Sequence, residues 1–276
     1  MAKPKKRIDQ LLVEKGLFAS REQARRSIMA GLVYLDGKKI EKPGTAVDPE
    51  APVEVKGSLH PYVSRGGMKL AKALEVFLID VRGLVAIDVG ASTGGFTDCL
   101  LQNGAAKVYA VDVGYGQLDW KLRNDPHVVV MERTNIRYLT RDALGELADL
   151  AVVDVSFISL TKFFRSLLEL LTDQGQVVAL IKPQFEVGKE QVGKKGVVRD
   201  PDVHHRLLLE LLQELQECGA GLRNLDYSPI LGPEGNIEYL AHFGKQDLIV
   251  DHTQLVERTL KAVAADCELN KWGWRG

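Results

Sequence analysis

The chain has 276 residues, 45% of them hydrophobic and 26% charged, the proportions of a soluble globular protein long enough for a full α/β core and one small module. The net charge of −1 hides an asymmetry: residues 1–60 carry twelve Lys/Arg against eight Asp/Glu, and the remainder carries 24 against 29. There is no apolar run of about 18 residues, no apolar segment after Met1 and no Cys-x-x-Cys among Cys99, Cys218 and Cys267, so a membrane span, a secretory signal, a disulfide framework and a metal site are not expected, and the expected location is cytoplasmic.

Residues 7–17 place Ile8, Leu11, Leu12 and Leu17 near helical spacing, with Gly16 as the stop. Ser20 and Gln23 form a capping box for a second helix through Ala24 and Ile28. Arg21 and Arg25, four apart, share one face of it, and Lys6 and Arg7 precede the first helix. Leu32 to Leu35 reads as a strand, Asp36-Gly37 as a type I′ turn and Lys38 to Ile40 as the returning strand, with a further short strand at Val53-Glu54-Val55. Helices with a basic face followed by this Gly-x-Val-x-x-Asp-Gly-Lys hairpin resemble the S4 RNA-binding domain. The resemblance implies that Lys6, Arg7, Arg21 and Arg25 meet RNA phosphates.

The pattern then divides the chain into an S4-like module at 1–59, a linker at 60–67 around Pro61, a larger domain at 68–268 and a tail at 269–276. In the larger domain, strands are expected at 84–89, 107–112, 127–131, 149–154 and 176–182. Helices are expected near 96–102, 117–123, 158–170 and 203–218, with a last one at 253–267. Strands alternating with helices predict a parallel sheet covered on both faces. Leu222 to Tyr227 and Asn236 to Phe243 have no helix between them and read as an antiparallel pair that ends the sheet. His204 and His205 read as surface residues near the start of a helix.

The stretch Val85 to Thr97 organises this domain. An apolar strand runs into a glycine turn and a helix, an arrangement that offers backbone N–H groups and a helix N-terminus to a ligand. Ser92 stands where a dinucleotide fingerprint needs its second glycine, and no Gly-Lys-Ser/Thr is present for a phosphate loop. Asp88 suits a cationic amino-acid group instead. The turn resembles the S-adenosylmethionine turn of the FtsJ-like RNA ribose methyltransferases. That resemblance implies a cofactor held by Asp88, Gly90, Ala91, Ser92, Gly94, Gly95 and Phe96, by Asp112 at the ribose, by Asn135 and Ile136 at the adenine, and by Asp154.

Asp154 and Lys182 are opposite charges at the ends of neighbouring apolar strands, where each needs a partner. Glu238 lies in the last strand, half-buried and in need of a cation. Lys69 opens a helix after Gly66-Gly67. The order Lys69, Asp154, Lys182, Glu238, each in matching context, is similar to the tetrad of RNA ribose 2′-O-methyltransferases. With the module in front, nearly the whole chain resembles the TlyA (hemolysin A-like) rRNA methyltransferase family. One departure is Asn236, where the family usually has Gly.

The resemblance implies a class I (Rossmann-like) α/β sheet with a reversed last strand behind an α+β S4 domain. It also implies S-adenosyl-L-methionine as cofactor, ribosomal RNA in ribosomal subunits as partner, cytidine 2′-hydroxyls of 16S and 23S rRNA as substrate, and no metal. Lys182 is the candidate for taking the hydroxyl proton, aimed together with Lys69 by the two carboxylates. Arg65, Arg133, Arg137 and Lys189 are candidates for RNA phosphates beside the site. Three other readings stand beside this one: an RNA-binding or ribosome-assembly protein with an inactive methyltransferase fold, a pore-forming haemolysin, and methylation of a base rather than a ribose, for which neither a catalytic Cys nor an Asn-Pro-Pro-Tyr element is present.

Overall fold

The computed structural model describes residues 5–18, 20–29, 31–56, 61–245 and 251–270. The chain forms two compact units, Met1–Pro61 and Tyr62–Gly276. The boundary falls inside the segment expected as linker: Tyr62 is buried in the core of the second unit, and the helix expected at Met68 starts at Gly66. His60, residues 271–276 of the expected tail and the side chain of Gln23 lie outside the described residues.

The first unit contains β1 (Lys6–Arg7), α1 (Ile8–Glu14), α2 (Arg21–Met29), β2 (Val33–Leu35), β3 (Lys38–Lys39), β4 (Ala46–Val47) and β5 (Val53–Val55). Ile8, Leu11 and Leu12 of α1 meet Ala24 and Ile28 of α2 in a small core completed by Val33 and Val47. The β2–β3 hairpin turns on Asp36 and Gly37, both at positive φ (47° and 74°), as a type I′ turn requires. The two-residue strands β1 and β4, which pair antiparallel, are too short to leave a period in the sequence.

The second unit opens with α3 (Gly66–Val76) and continues β6 (Val85–Val89), α4 (Gly95–Gln102), β7 (Lys107–Val111), α5 (Trp120–Arg123), β8 (Val128–Met131), α6 (Arg141–Leu144), β9 (Ala148–Val153), α7 (Phe164–Glu169), β10 (Leu171–Ile181), α8 (Pro183–Glu186), α9 (Pro201–Glu217), β11 (Gly221–Tyr227), β12 (Tyr239–Gly244) and α10 (His252–Asn270). One seven-stranded sheet runs in the order β11-β12-β10-β9-β6-β7-β8. β12 is antiparallel to both neighbours, and the pairs from β10 through β9, β6 and β7 to β8 are parallel. The apolar strands are buried between two layers. One core contains Ile87, Val111, Ala151 and Val153 with Leu208 and Leu212 of α9; the other contains Ala86, Val108, Leu150 and Val178 with Leu70 of α3 and Leu100 of α4.

Five details differ from the sequence reading. The helix expected over 158–170 is broken at Phe163 (φ −142°) into a 3-10 turn, Leu160–Lys162, and α7. β10 begins at Leu171, five residues early, with a register shift before Gln176. The last strand begins at Tyr239 rather than Asn236, and the final helix reaches Asn270. His204 is fully buried rather than at the surface, since it faces the core from α9, near Tyr239.

Candidate active site

The glycine turn after β6 is shaped by contacts that leave no room for side chains. Gly90 has φ +84°, and a Cβ there would stand 2.7 Å from the Asp154 carbonyl oxygen. Gly94 is the left-handed N-cap residue of α4 (φ +92°), packed on Leu118 and Leu122. A Cβ on Gly95 would collide with the Ser64 hydroxyl and stand 2.9 Å from Gly67 N. Ser92, at φ +48°, is the one non-glycine in the turn held left-handed.

Asp88, at the end of β6, is fully buried. Its Oδ2 accepts from Thr97 N (2.9 Å) and Thr97 Oγ1 (2.6 Å), and its Oδ1 has no partner. Burial pushes this carboxyl up to about 7, against the Thr97 hydrogen bonds and with a further push from Asp154. Asp112, just past β7, clamps the turn from the other side: its two oxygens accept from Ser92 N (2.8 Å) and Gly114 N (2.7 Å). Asn135 caps a 3-10 turn by accepting from Arg137 N, and Ile136 beside it is buried.

Two clefts meet at the strand ends. The first, of about 650 Å³, takes in Asp88, Gly90, Ala91, Ser92, Gly95 and Phe96 together with Arg65, Lys69, Asp154, Lys182 and Glu238. The second, of about 460 Å³, is lined by Asp112, Asn135 and Ile136, and shares Gly90, Ser92, Asp154, Ser156 and Phe157 with the first. Gly94 lines neither. This is the crevice beyond the carboxyl ends of the strands where open α/β sheets bind ligands.

The four charged residues form an alternating chain. Lys69 Nζ donates to Glu238 Oε2 at 2.6 Å and lies 3.9 Å from Asp154 Oδ2. Lys182 Nζ lies 2.6 Å from Asp154 Oδ1 and donates to Ser156 Oγ at 3.0 Å. Side-chain exposures of 0% for Glu238, 7% for Lys69, 20% for Asp154 and 10% for Lys182 place the group out of bulk water, where only mutual pairing keeps four charges tolerable. The backbone sets this geometry. Asp154 and Lys182 are the first residues past β9 and β10, and Pro183 at the start of α8 turns the chain immediately after Lys182. Glu238 precedes β12 and is fully buried rather than half-buried, because Lys69 from α3 reaches it; its Oε1 stays without a partner.

The other basic candidates are exposed. Arg65 lies on the wall of the first cleft. The Arg133 guanidinium lies 4.3 Å from the Tyr115 ring centroid, Arg137 packs over Tyr138, and Lys189 stands on a 3-10 turn. In the first unit Lys6 is paired with Glu14 (2.6 Å), Arg7 and Arg21 both hold Asp9 (3.0 and 3.1 Å), and Arg25 lines a shallow groove with Arg21 and Arg26.

Sequence reasoning missed four residues. Phe157 is 89% exposed at φ +65°, its ring 4.8 Å from that of Phe185, and it lines both clefts. An aromatic beside Asp-Val-Ser at a strand end was the available signal. Ser156 accepts a hydrogen bond from Lys182 beside the Lys182–Asp154 ion pair. Glu186, which burial pushes up to about 7, accepts from Leu160 N and ties α8 to the loop carrying Phe157. Asn236 reaches residues 40 positions away, which no local pattern could signal.

A model of the FtsJ-like methyltransferases matches residues 62–245 and a model of the S4 domain matches residues 6–53. The chain is 51% identical over 234 residues to the 16S/23S rRNA (cytidine-2′-O)-methyltransferase TlyA of Mycobacterium tuberculosis, covering 84% of this chain and 87% of that one. It is 42% identical to Hemolysin A of Brachyspira hyodysenteriae, covering 86% and 99%. A solved structure described as a hemolysin from Streptococcus thermophilus superposes with a TM-score of 0.73 at 46% identity, over 96% of this chain and 99% of that one. Among the described residues no helix is long and apolar enough to cross a membrane.

Proposed function

The chain belongs to the FtsJ-like methyltransferases, with an S4 domain ahead of the methyltransferase unit, and on that premise we propose that it methylates ribose 2′-hydroxyls of cytidines in ribosomal RNA. The observation that carries the proposal is the buried chain Glu238–Lys69–Asp154–Lys182 at the place where the two clefts meet.

The clefts fit S-adenosyl-L-methionine. Asp88 keeps a buried acceptor free for the amino group of the cofactor, and the glycines leave a cradle that a Cβ would fill. Asp112, Asn135 and Ile136 line the second cleft, which supports Asp112 as the acceptor for ribose hydroxyls and Asn135 and Ile136 as the contacts of the adenine edge and face. The cofactor, when bound, supplies an electrophilic sulfonium methyl.

This chain's own residues do the rest. A ribose hydroxyl is a very weak acid, so its nucleophilicity depends on a group that takes its proton as the new bond forms. Lys182, in its neutral amine form, is that group, and the proton it takes leaves to solvent after transfer. Asp154 and Ser156 hold its Nζ from two sides, which fixes where its remaining direction points. Glu238 holds Lys69, and Lys69 in turn shares Asp154, so removal of any member unbalances the other three. Phe157 gives a base a flat apolar face at the mouth. Arg65, Arg133, Arg137 and Lys189 meet the RNA backbone near the site, while Lys6, Arg7, Arg21 and Arg25 capture structured RNA through its phosphates.

Incubating the purified protein with methyl-labelled cofactor and unmodified ribosomal subunits tests this reading. Label in a cytidine of 16S or 23S rRNA is expected. RNA binding without any label would leave an RNA-binding protein with an inactive fold.

A further inference from the structure

The segment that carries Glu238 also holds the rim of the first cleft. Asn236 is buried, and both ends of its carboxamide are engaged with one loop: Nδ2 donates to Gly196 O at 2.8 Å, and Oδ1 accepts from Val198 N at 3.1 Å. Val198 is clamped a second time. Its carbonyl accepts from His204 Nε2 at 3.1 Å, which leaves His204 Nδ1 to accept from the Tyr239 hydroxyl at 2.7 Å. Burial lowers the His204 pKa, in keeping with this neutral tautomer. Asn236 directly, and Tyr239 through His204, thus hold the loop from either side of Glu238, which reaches Lys69.

Between Gly193 and Val197 the backbone makes a tight turn. Lys195 stands at φ +70° and Gly196 at φ +73°, closed by a bond from Gly193 N to Val197 O at 3.1 Å. A lysine persists in that left-handed conformation only where its surroundings enforce it. The Asn236 carboxamide is bonded to the residue that follows Lys195, and within the turn Gly196 N donates to Gly193 O at 3.1 Å. Lys195 is exposed, lines the first cleft with Lys182 and Phe157, and its ammonium has no carboxylate partner among the described residues.

We propose that Asn236 is a positioning residue that fixes Lys195 on the rim of the cleft, where the Lys195 ammonium binds a phosphate of the RNA strand entering the site. The proposal rests on the reading that this cleft receives RNA. A cation on a strained, tethered turn is pre-placed, so less ordering is lost when it meets a phosphate than for a lysine on a free loop.

The test measures RNA affinity at several salt concentrations and single-turnover methylation over a range of RNA concentrations, for Lys195→Ala, Lys195→Arg, Asn236→Ala, Asn236→Asp and the double variant Asn236→Ala/Lys195→Ala. Lys195→Ala should raise the half-saturating RNA concentration about 5- to 10-fold, leave the saturating rate within about 2-fold, and reduce the salt slope by about one. Lys195→Arg should restore affinity. Asn236→Asp keeps the acceptor for Val198 N but sets a buried carboxylate oxygen against Gly196 O, so it should weaken RNA binding with a fall in melting temperature at least as large as that of Asn236→Ala. The double variant should bind RNA no worse than Lys195→Ala, because Asn236 acts through Lys195. Multiplicative losses in the double variant, or a Lys195→Ala protein with unchanged affinity and salt slope, would overturn the proposal. Wild-type protein that binds RNA without methylating it would overturn the enzymatic reading alone, since the binding measurements read Lys195 directly.

Discussion

Asp9 in the first unit and Glu238 in the second are both carboxylates with no side-chain exposure, and both are paired with cations, yet the pairs serve opposite ends. The partners of Asp9 are half in water: Arg7 is 48% exposed and Arg21 49%. The partner of Glu238 is 7% exposed. A guanidinium tethered from behind and open in front has donors left for phosphate. An ammonium enclosed with its partner has a fixed position and little reach. One arrangement suits capture of a polyanion, and the other suits geometry at a reacting atom. A carboxylate's burial therefore says little about its role until the exposure of its cation is known.

The enclosed arrangement breaks hardest. Lys182→Ala should lower single-turnover methyl transfer by about 10³-fold, within the range for loss of a general acid–base group, while cofactor and RNA affinities stay within a few-fold. Lys182→Arg should fail as well, because a guanidinium does not give up its proton in a protein. Glu238→Ala leaves the Lys69 ammonium buried with only the longer contact to Asp154, so thermal melting should show a loss of about 3 kcal/mol or more besides the loss of transfer.

Closing the glycine cradle comes next. Gly90→Val adds a Cβ within 2.7 Å of Asp154 O at a left-handed backbone position, a collision worth about 2–3 kcal/mol, and calorimetry should show S-adenosylmethionine binding weakened about 100-fold. RNA binding should survive.

A smaller effect follows pH. Asp88 has its carboxyl pushed up to about 7 by burial, so the folded protein retains a proton there that the unfolded chain releases near about pH 4. Its contribution to stability is therefore most favourable below about pH 4 and declines as pH rises towards about 7. Cofactor binding runs the other way. The amino group of the cofactor favours the carboxylate, so affinity should rise with pH and level off above about 7, with a proton released on binding below that. Calorimetry in buffers of different ionisation enthalpy reads that proton. Affinity that stays constant as pH passes through about 7 would detach Asp88 from the cofactor.

The open arrangement gives the smallest change. Arg25→Gln should weaken binding to structured rRNA several-fold and reduce the salt slope by about 0.9, with cofactor binding intact. Arg21→Gln should do the same, lower stability at neutral pH and make stability less dependent on acid. Asp9 is held below the usual carboxylate range chiefly by its hydrogen bond to Arg7 and next by Arg21, against its burial. The stability from that depressed pKa is present above about pH 4 and is lost as pH falls through the lower folded value, so losing Arg21 should narrow that margin in acid melting curves.

Much of this site was legible because strand ends carry their chemistry locally. Asp88, Asp112, Asp154 and Lys182 each close an apolar run, and the glycines around them mark a turn that contacts shape. Glu238 was harder to place. Alternation put it inside a strand, but Asn236 is drawn to Gly196 and Val198, and the ladder begins only at Tyr239. Phe163 broke a helix that apolar spacing had predicted as continuous. His204 looked like a surface residue because its partners, Val198 and Tyr239, come from a loop and a strand that only tertiary folding brings to it. Local pattern located the groups; pairing between segments distant in sequence, such as Lys69 with Glu238, decided how deeply they sit and what they hold.

By this mechanism the methyl group goes to a ribose oxygen. Partial alkaline hydrolysis of rRNA taken from subunits treated with this protein and cofactor tests it most directly, because 2′-O-methylation removes the internal nucleophile that cleaves the adjacent phosphodiester. A single missing rung is expected in the cleavage ladder at each labelled cytidine, and a complete ladder when Lys182→Ala replaces the wild-type protein. Labelled RNA that cleaves at every position would place the methyl group on a base and contradict it.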